Sequence, residues 1–287
     1  MYPTLIELGP VPIHAYGFMM AMAFITGMYL LRRQASKEGI NPDIIGDGAF
    51  WALIIGLIGS RIAHVIMFPD HYSWKDPKGW IAIWQGGLVF QGAIPVGIAF
   101  IYYWAKRHKI GFFFLLDFSV PVLALGHGIG RLGCFFNGCC YGGRTESYLG
   151  VKFPRIPSDP AASVTGSPAY FDHLRQGLIS SESQWSLPIH ATQLYSTIGL
   201  VLICATLVYL RKNWRPFDGS IVAAYFMLYG VFRFLMEFVR ADHNPTRLGA
   251  FTDQQVISLM LCLFGAIILV AFRGRGTKYT PPAEASG

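Results

Sequence analysis

The sequence predicts an all-α integral membrane protein with seven transmembrane helices, an N-terminus outside the cell membrane and a cytoplasmic C-terminus. Composition is the first observation behind this prediction: 53% of the 287 residues are hydrophobic and only 14% are charged, whereas about a quarter of the residues in soluble domains are charged. The second observation is a series of apolar runs near membrane-spanning length. The third is that clusters of basic residues follow alternate runs. This combination excludes an ordinary soluble domain.

Seven runs approach the roughly 20 apolar residues that cross a bilayer core. The third run is the weakest, because Gln91 and Pro95 interrupt it. The first run lacks a basic leader and a small-residue cleavage site, so we interpret it as a span and not as a signal peptide. The runs cover residues 15–31, 49–68, 92–104, 112–137, 191–210, 220–238 and 256–272.

The basic residues predict the orientation of these spans. Twelve of the 23 Lys and Arg residues lie in four short patches after the first, third, fifth and seventh runs, all on one face if seven spans alternate. The positive-inside rule assigns that face to the cytoplasm. The high isoelectric point of the chain is therefore explained by its membrane topology and by contact of the basic patches with anionic membrane lipids. No nucleic-acid partner is expected. The patches contain Arg32, Arg33, Lys37, Lys106, Arg107, Lys109, Arg211, Lys212, Arg215, Arg273, Arg275 and Lys278.

The chain is predicted to form a single membrane domain over residues 1–278, with a cytoplasmic disordered tail at 279–287. Within the domain, residues 143–188 are rich in Ser, Pro and Gly and are expected to form an extracytoplasmic cap. A short helix is expected at 170–177. The segment is too poor in apolar residues to be expected to build a core of its own. No internal repeat is visible, which disfavours an inverted-repeat transporter.

Three arginines, Arg61, Arg131 and Arg233, lie in or at the ends of apolar runs. A charge in hydrocarbon costs several kcal/mol, so such residues usually face a cavity. Tyr229, Arg233 and Glu237 recur every four residues and share a helix face. Either Arg233 and Glu237 form a self-neutralising pair that aids packing, or this face serves a site. The excess positive charge predicts an anionic ligand, and a phosphate suits the bidentate guanidinium.

A histidine and three cysteines surround Arg131. His127 lies four residues earlier, on the same helix face, and is either a packed, hydrogen-bonded histidine or part of the site. Cys134, Cys139 and Cys140 suggest zinc, but structural zinc sites usually show paired Cys-x-x-Cys spacing, which is missing here. We therefore predict a small apolar packing role for the cysteines, with no metal and no cofactor. Five cysteines in all are not typical of a disulfide framework.

Residues 130–142, Gly-Arg-Leu-Gly-Cys-Phe-Phe-Asn-Gly-Cys-Cys-Tyr-Gly, resemble the signature of the phosphatidylglycerol–prolipoprotein diacylglyceryl transferase family, which typically reads G-R-x-G-N-F-x-N-G-E-x-x-G. Further blocks match the family in order at 14–17, 59–61, 86–90, 190–195, 229–237 and 255–258. The resemblance implies a seven-helix enzyme of the bacterial cytoplasmic (inner) membrane. It also implies transfer of a diacylglyceryl group from phosphatidylglycerol to the lipobox cysteine thiol of a prolipoprotein signal peptide, with release of glycerol-1-phosphate.

The resemblance implies roles for residues that match the family pattern. Arg131 and Arg233 would hold the phosphate and neutralise its charge. Tyr16, Asn137 and Glu237 would orient the glycerol hydroxyls and the arginines. Gly142 would permit close approach of the lipid, and Gln91 and Arg61 are assigned to the same lipid-binding set.

Three positions depart from the family pattern. Cys134 and Cys139 stand where the family commonly has Asn and Glu, and Gln91 stands where it commonly has a histidine. A glutamine cannot act as a base near neutral pH. His127 is the predicted substitute base; the alternative is that the arginine field itself lowers the pKa of the substrate thiol.

Two other functions remain open at this level. The departures favour a divergent relative that acts on another acceptor or lipid. A transporter or flippase of an anionic lipid would also need buried arginines, but it would need a polar path from both sides. The polar residues of this chain concentrate toward the predicted outer half of the spans, which favours the transferase.

Overall fold

The computed structural model describes residues 4–8, 11–72, 78–83, 86–155, 167–241, 246–273 and 279. These ranges are mostly helical, with two short antiparallel strand pairs: β1 (Thr4–Leu8) with β2 (Val11–His14), and β3 (Arg247–Leu248) with β4 (Phe251–Thr252). The α-helices are α1 (Ala15–Lys37), α2 (Pro42–Met67), α3 (Lys78–Ile81), α4 (Phe90–Arg107), α5 (Phe112–Asn137), α6 (Pro168–Arg175), α7 (Thr192–Asn213), α8 (Ser220–Met236) and α9 (Asp253–Ala271). Single-turn 3-10 helices lie at Pro69–His71 and Glu237–Val239.

Six helices of the described part are long and apolar enough to cross a bilayer: α1, α2, α5, α7, α8 with its 3-10 extension, and α9. The corresponding sequence runs are thereby confirmed as helices. The third run is also helical, as α4, but this 18-residue helix contains Pro95 and ends in Lys106 and Arg107, and it is not among the six. The structure therefore supports six candidate spans, and a seventh stays a prediction.

The chain divides into two compact units. The first unit comprises residues 1–27 and 119–277, and the second comprises residues 28–118 and 278–287. Helices α1 and α5 each contribute residues to both units.

In the second unit, α2 and α4 pack with their backbones in direct contact. Gly59 and Gly92 face each other, and a Cβ atom built on Gly92 would lie 2.4 Å from the Gly59 carbonyl oxygen and 2.3 Å from the Ala63 Cβ. The Val89 N–H, just before α4, donates a hydrogen bond to the Ser60 carbonyl at 3.1 Å. Small residues at a helix interface permit this approach in a membrane protein.

Replacing Gly92 with Ala is expected to destabilise the second unit, because the added methyl cannot fit without separating α2 from α4. Overpacking of this kind costs about 1–3 kcal/mol. The matched control is Gly97→Ala in the same helix, where a Cβ would meet no atom within 4 Å. Thermal unfolding in detergent should show a lower midpoint for Gly92→Ala and an unchanged or slightly higher one for Gly97→Ala, since Ala favours helix over Gly. Equal midpoints would contradict the contact.

Beyond residue 273 the structure describes one residue, Tyr279. Tyr279 packs on Phe114 with their ring centroids 4.9 Å apart, both in the second unit, and burial raises the pKa of the Tyr279 phenol. The rest of the predicted disordered tail, residues 280–287, lies outside the described residues.

Residues 143–188 contribute Phe153 and Ala169 to a small core that also includes Tyr141 and Ile189 from either side of the segment. Phe153, Ala169 and Ile189 are completely buried and pack with Tyr141. These residues are far apart in sequence and meet because the chain doubles back, with Val151 and Ile189 exchanging backbone hydrogen bonds at 3.0 and 3.1 Å. The expected short helix is present as α6, and residues 156–166 lie outside the described residues.

Candidate functional site

The C-terminal half of α5 places His127 and Arg131 on one face. The two residues are four apart, one helical turn, and the Arg131 Nε–H donates a hydrogen bond to the His127 Nε2 at 3.3 Å. The His127 ring also lies against Tyr229 of α8, with centroids 5.7 Å apart. Because Nε2 accepts this bond, the proton of a neutral imidazole is assigned to Nδ1. His127 therefore orients Arg131, and its role as a base stays a prediction.

The end of α8 supplies the second half of the site. Arg233 and Glu237 form an ion pair at 2.7 Å, and the Glu237 side chain is only 3% exposed. The Thr252 hydroxyl donates to the other Glu237 oxygen at 3.1 Å. Thr252 itself caps α9 through a capping box with Gln255, which holds the Thr252 end of this contact in place. The pair suggested by the sequence is thus present, and α9 orients its carboxylate.

Both arginines line one cavity of the first unit, and the structure adds a third, Arg240. Arg240 lies three residues after Glu237, where the sequence reads as the basic flank of a span, so sequence reasoning missed it; its spacing from Glu237 was the available signal. Three of the described residues that line the cavity are therefore arginines. The cavity is lined by His127, Arg131, Ser196, Leu200, Tyr229, Phe232, Arg233, Met236 and Arg240.

Gly142 holds Arg240 in place through the backbone. The two residues form an antiparallel bridge, and the Gly142 N–H donates to the His190 carbonyl at 3.0 Å. A Cβ on Gly142 would lie 2.6 Å from the Val239 oxygen and 2.7 Å from both His190 Cβ and Thr192 Cγ2. The close approach predicted at Gly142 is therefore an approach of protein backbone and side chains.

The three cysteines converge where α5 ends. Gly138 has φ +72°, and the Cys139 N–H donates to the Cys134 carbonyl at 3.1 Å while the Gly138 N–H donates to the Phe135 carbonyl at 3.2 Å. These two bonds are the Schellman motif, which turns the residue after the glycine back onto the last helical turn. As a result, the sulfur atoms of Cys134, Cys139 and Cys140 all lie within 4.8 Å of one another.

Neighbouring groups fix the turn at residues 138–140, which together with Cys134 forms the cysteine loop. Cys140 has φ +60°, a conformation that non-glycine residues rarely adopt. The Thr192 hydroxyl donates to the Cys140 carbonyl at 2.7 Å, and the Gln193 amide donates to the Cys139 carbonyl at 2.8 Å. Hydrogen bonds from the Cys134 and Cys139 thiols lower the pKa of the Cys140 thiol, and the Arg131 charge lowers it further.

Tyr16 and Asn137, both predicted from the sequence, border the same loop. The Tyr16 Cδ2 lies 3.2 Å from a Cβ position built on Gly133, so α1 packs on α5 one residue before Cys134. Tyr16 is 44% exposed and lies within electrostatic reach of Arg131 and the cysteines. The Asn137 side chain hydrogen-bonds the Cys139 thiol. The structure thus gathers seven of the nine predicted site residues in the first unit.

The other two, Gln91 and Arg61, belong to the second unit. Gln91 is exposed in the first turn of α4. Arg61 is 8% exposed, and its guanidinium donates to the backbone carbonyls of Gly79, Trp80, Gly86 and Gly87. Its cation also lies 5.1 Å from the centre of the Tyr72 ring. These bonds indicate that Arg61 holds the segment before α4 against α2; lipid binding by Arg61 stays a prediction.

Replacing Arg61 with Ala is expected to loosen that segment, because four backbone carbonyls lose a charged donor, and a hydrogen bond to a charged group contributes about 1.5–3 kcal/mol. Arg61→Lys should rescue only part of the stability, since an ammonium lacks the planar fork. Hydrogen exchange at the amides of residues 86–89, together with thermal unfolding, would measure the effect. The exposed Arg107→Ala variant is the control. Wild-type exchange in Arg61→Ala would contradict the clamp.

The chain is similar to known proteins along most of its length. Residues 3–271 match the family model described as prolipoprotein diacylglyceryl transferase. A phosphatidylglycerol–prolipoprotein diacylglyceryl transferase of Xylella fastidiosa (strain 9a5c) is 32% identical over 280 residues, covering 93% of this chain and 91% of the relative. Proteins of the same name from Stenotrophomonas maltophilia (strain R551-3) and Clostridium tetani (strain Massachusetts / E88) are each 30% identical, covering 94% and 93% of this chain and 92% and 96% of the relatives.

The matched range includes every residue of the arginine cavity and of the cysteine loop. A family-model match over nearly the whole chain, with relatives of the same name at about a third identity along nearly their full length, leads to one conclusion: the chain belongs to the prolipoprotein diacylglyceryl transferase family.

Proposed function

We propose that this protein transfers the diacylglyceryl group of phosphatidylglycerol to the lipobox cysteine thiol of prolipoproteins, the first step of lipoprotein maturation. The observation that carries the proposal is the cavity that Arg131, Arg233 and Arg240 line together, beside the Arg233–Glu237 ion pair. Three guanidinium groups at one cavity of an apolar helical unit favour a bound phosphate.

The chemistry is a displacement at carbon. The substrate thiolate attacks the glyceryl carbon next to the phosphate, a C–S bond forms, and the C–O bond breaks with its electron pair remaining on oxygen. The phosphodiester of the lipid carries one negative charge, and the departing glycerol-1-phosphate gains a second. The arginines of the cavity stabilise this developing charge, because fixed donors aimed at a developing negative charge usually make the largest single contribution to catalysis.

Each predicted residue takes a role in this scheme. Arg131 and Arg233 bind the phosphate, with Arg240 as a further cation. His127 orients Arg131, Glu237 orients Arg233, and Tyr16 and Asn137 approach the glycerol hydroxyls from the cysteine side. Three further residues have structural roles in the scheme. Gly142 positions Arg240, while Arg61 and Gln91 organise the segment leading into α4.

The wider setting is proposed on the same basis. Residues 1–278 form one membrane domain of the bacterial cytoplasmic membrane, with α4 as a seventh span of about 27 Å at 1.5 Å per residue. The four basic patches support a cytoplasmic C-terminus and an N-terminus outside. The partners are phosphatidylglycerol, surrounding membrane lipids and the prolipoprotein signal peptide.

The test uses purified full-length protein with phosphatidylglycerol vesicles and a lipobox peptide. We expect release of glycerol phosphate together with a mass gain of the peptide equal to one diacylglyceryl group. A peptide with Ser in place of the lipobox Cys should give neither product. Folded protein that releases no glycerol phosphate and leaves the peptide unmodified would overturn the proposal.

A further inference from the structure

Two groups at the arginine cavity could accept a proton from the substrate thiol, and both are engaged. The His127 Nε2 accepts a hydrogen bond from Arg131. The two Glu237 oxygens accept from Arg233 and Thr252. The proposed reaction nevertheless requires a thiolate, because the thiolate and not the thiol is the nucleophile. A further group that ionises the thiol would therefore serve the reaction.

We propose that Cys134, Cys139 and Cys140 bind a zinc ion whose remaining position takes the lipobox thiol of the substrate. The three sulfur atoms lie within 4.8 Å of one another. Zinc–thiolate bonds of about 2.3 Å in tetrahedral geometry separate the sulfurs by about 3.8 Å. Movements of about 1 Å or less, achieved by side-chain rotation, therefore bring the cysteines to a shared ion. This inference rests on the proposed function.

Three cysteine thiolates favour a particular metal and a particular role for it. Thiolates prefer soft or borderline cations such as zinc over magnesium or calcium. Three protein ligands with a fourth position for water or substrate are typical of catalytic zinc, whereas structural zinc usually has four protein ligands. The half-buried state of all three cysteines is compatible with access by a substrate.

Nearby arginines and a rigid loop favour a negatively charged zinc–thiolate cluster. Zinc with three thiolates carries one negative charge, and binding of a substrate thiolate adds another. Arg131 lies one turn from Cys134 on the same face of α5, and Arg131 and Arg240 both act electrostatically on Cys140. The loop is also rigid, since Thr192 and Gln193 hold two of its carbonyls and the Schellman motif fixes its path.

The step balances without an added base. Zinc-bound hydroxide takes the proton of the incoming thiol and leaves as water, while the thiolate takes its place on zinc. A coordinating thiol is deprotonated outright by the metal. The zinc-bound sulfur then attacks the glyceryl carbon, the C–O bond to phosphate breaks, and the thioether product dissociates from zinc. Water then refills the position and releases one proton to the solvent, which restores the zinc-bound hydroxide.

The test uses full-length, reduced protein in phosphatidylglycerol nanodiscs, with its metal removed by a chelator. We expect added Zn²⁺ to bind one per chain and to raise the transfer rate by on the order of 100-fold or more. With Co²⁺ as the spectroscopic probe, the thiolate-to-metal absorption should change when the lipobox peptide is added and should stay unchanged with the Cys-to-Ser peptide.

Substitutions localise the effect. Cys134→Ser and Cys139→Ser should lose the bound metal, and the matched control Cys204→Ser in α7 should keep both metal and rate. If a cluster variant does not fold, the Co²⁺ spectra of the unaltered protein still decide. The proposal is overturned if reduced protein binds no Zn²⁺, if the cysteines prove to be oxidised to a disulfide in active protein, or if transfer runs at full rate without metal.

Failure of the zinc site and failure of the proposed function give different results. Full transfer by metal-free protein removes the zinc step and leaves the transferase intact. Protein that shows the absorption change with peptide in its Co²⁺ form, but never releases glycerol phosphate in its Zn²⁺ form, would retain the site and count against the transferase.

Discussion

Replacing Arg131 with Ala is expected to lower the transfer rate by on the order of 1000-fold, the size of effect seen when one donor to a developing oxyanion is removed. The variant loses a cation at the cavity and leaves the His127 Nε2 without the bond it accepts at 3.3 Å. Arg131→Lys should recover only part of the rate, because an ammonium keeps the charge but not the bidentate fork. Initial rates of glycerol phosphate release over a range of phosphatidylglycerol concentrations would measure both kcat and KM.

The matched control is Arg33→Ala, an exposed arginine of the same charge near the end of α1. It should leave kcat and KM close to those of the unaltered protein. Both variants must first show normal thermal unfolding in detergent, so that a lost rate is assigned to the site. Turnover of Arg131→Ala at the rate of Arg33→Ala would remove Arg131 from the phosphate-binding set.

Replacing Gly142 with Ala is expected to have the second largest effect, a loss of transfer on the order of 100-fold, which a displacement of about 1 Å at a reacting group produces. The added Cβ would lie 2.6 Å from the Val239 oxygen and 2.7 Å from the His190 Cβ, so the bridge to Arg240 must open. Initial rates would measure the transfer activity. Hydrogen exchange of the amides of residues 142 and 143 would measure separately whether the backbone bridge is intact.

Gly143→Ala is the control for this change, because the neighbouring glycine has its closest atom 3.9 Å from a Cβ position. It should retain nearly full transfer and normal exchange. Equal transfer rates together with equal amide exchange in the two variants would show that Gly142 is not needed for backbone packing. Fast amide exchange without loss of transfer would show instead that Arg240 does not depend on the bridge.

Helical structure and most of the site could be predicted from the sequence because their determinants are local. A bilayer requires about 20 apolar residues per helix and leaves few alternatives for a chain with so little charge. The four-residue spacing of Arg233 and Glu237, and of His127 and Arg131, likewise predicts contact by helix geometry alone. Both contacts are present, at 2.7 and 3.3 Å.

The small core at Phe153 and Ile189 could not be predicted in this way. Its members are dispersed among Ser, Pro and Gly, and only the bridges that fold the segment back bring them together. Arg240 was missed for a related reason: it follows the end of a span, and the backbone bridge with Gly142 decides that it reaches the cavity.

The contrast between what the sequence predicts and what the tertiary structure decides is clearest for Cys134, Cys139 and Cys140. Their chain spacing is not that of paired zinc ligands, so the sequence alone indicated apolar packing. By itself the sequence determined the membrane class, the helical runs and the arginine face, because hydrophobicity and the helical period act over neighbouring residues. Only the tertiary structure decided that three sulfurs lie within 4.8 Å of one another, because a left-handed Gly138 reverses the chain at the end of α5 and returns Cys139 to Cys134.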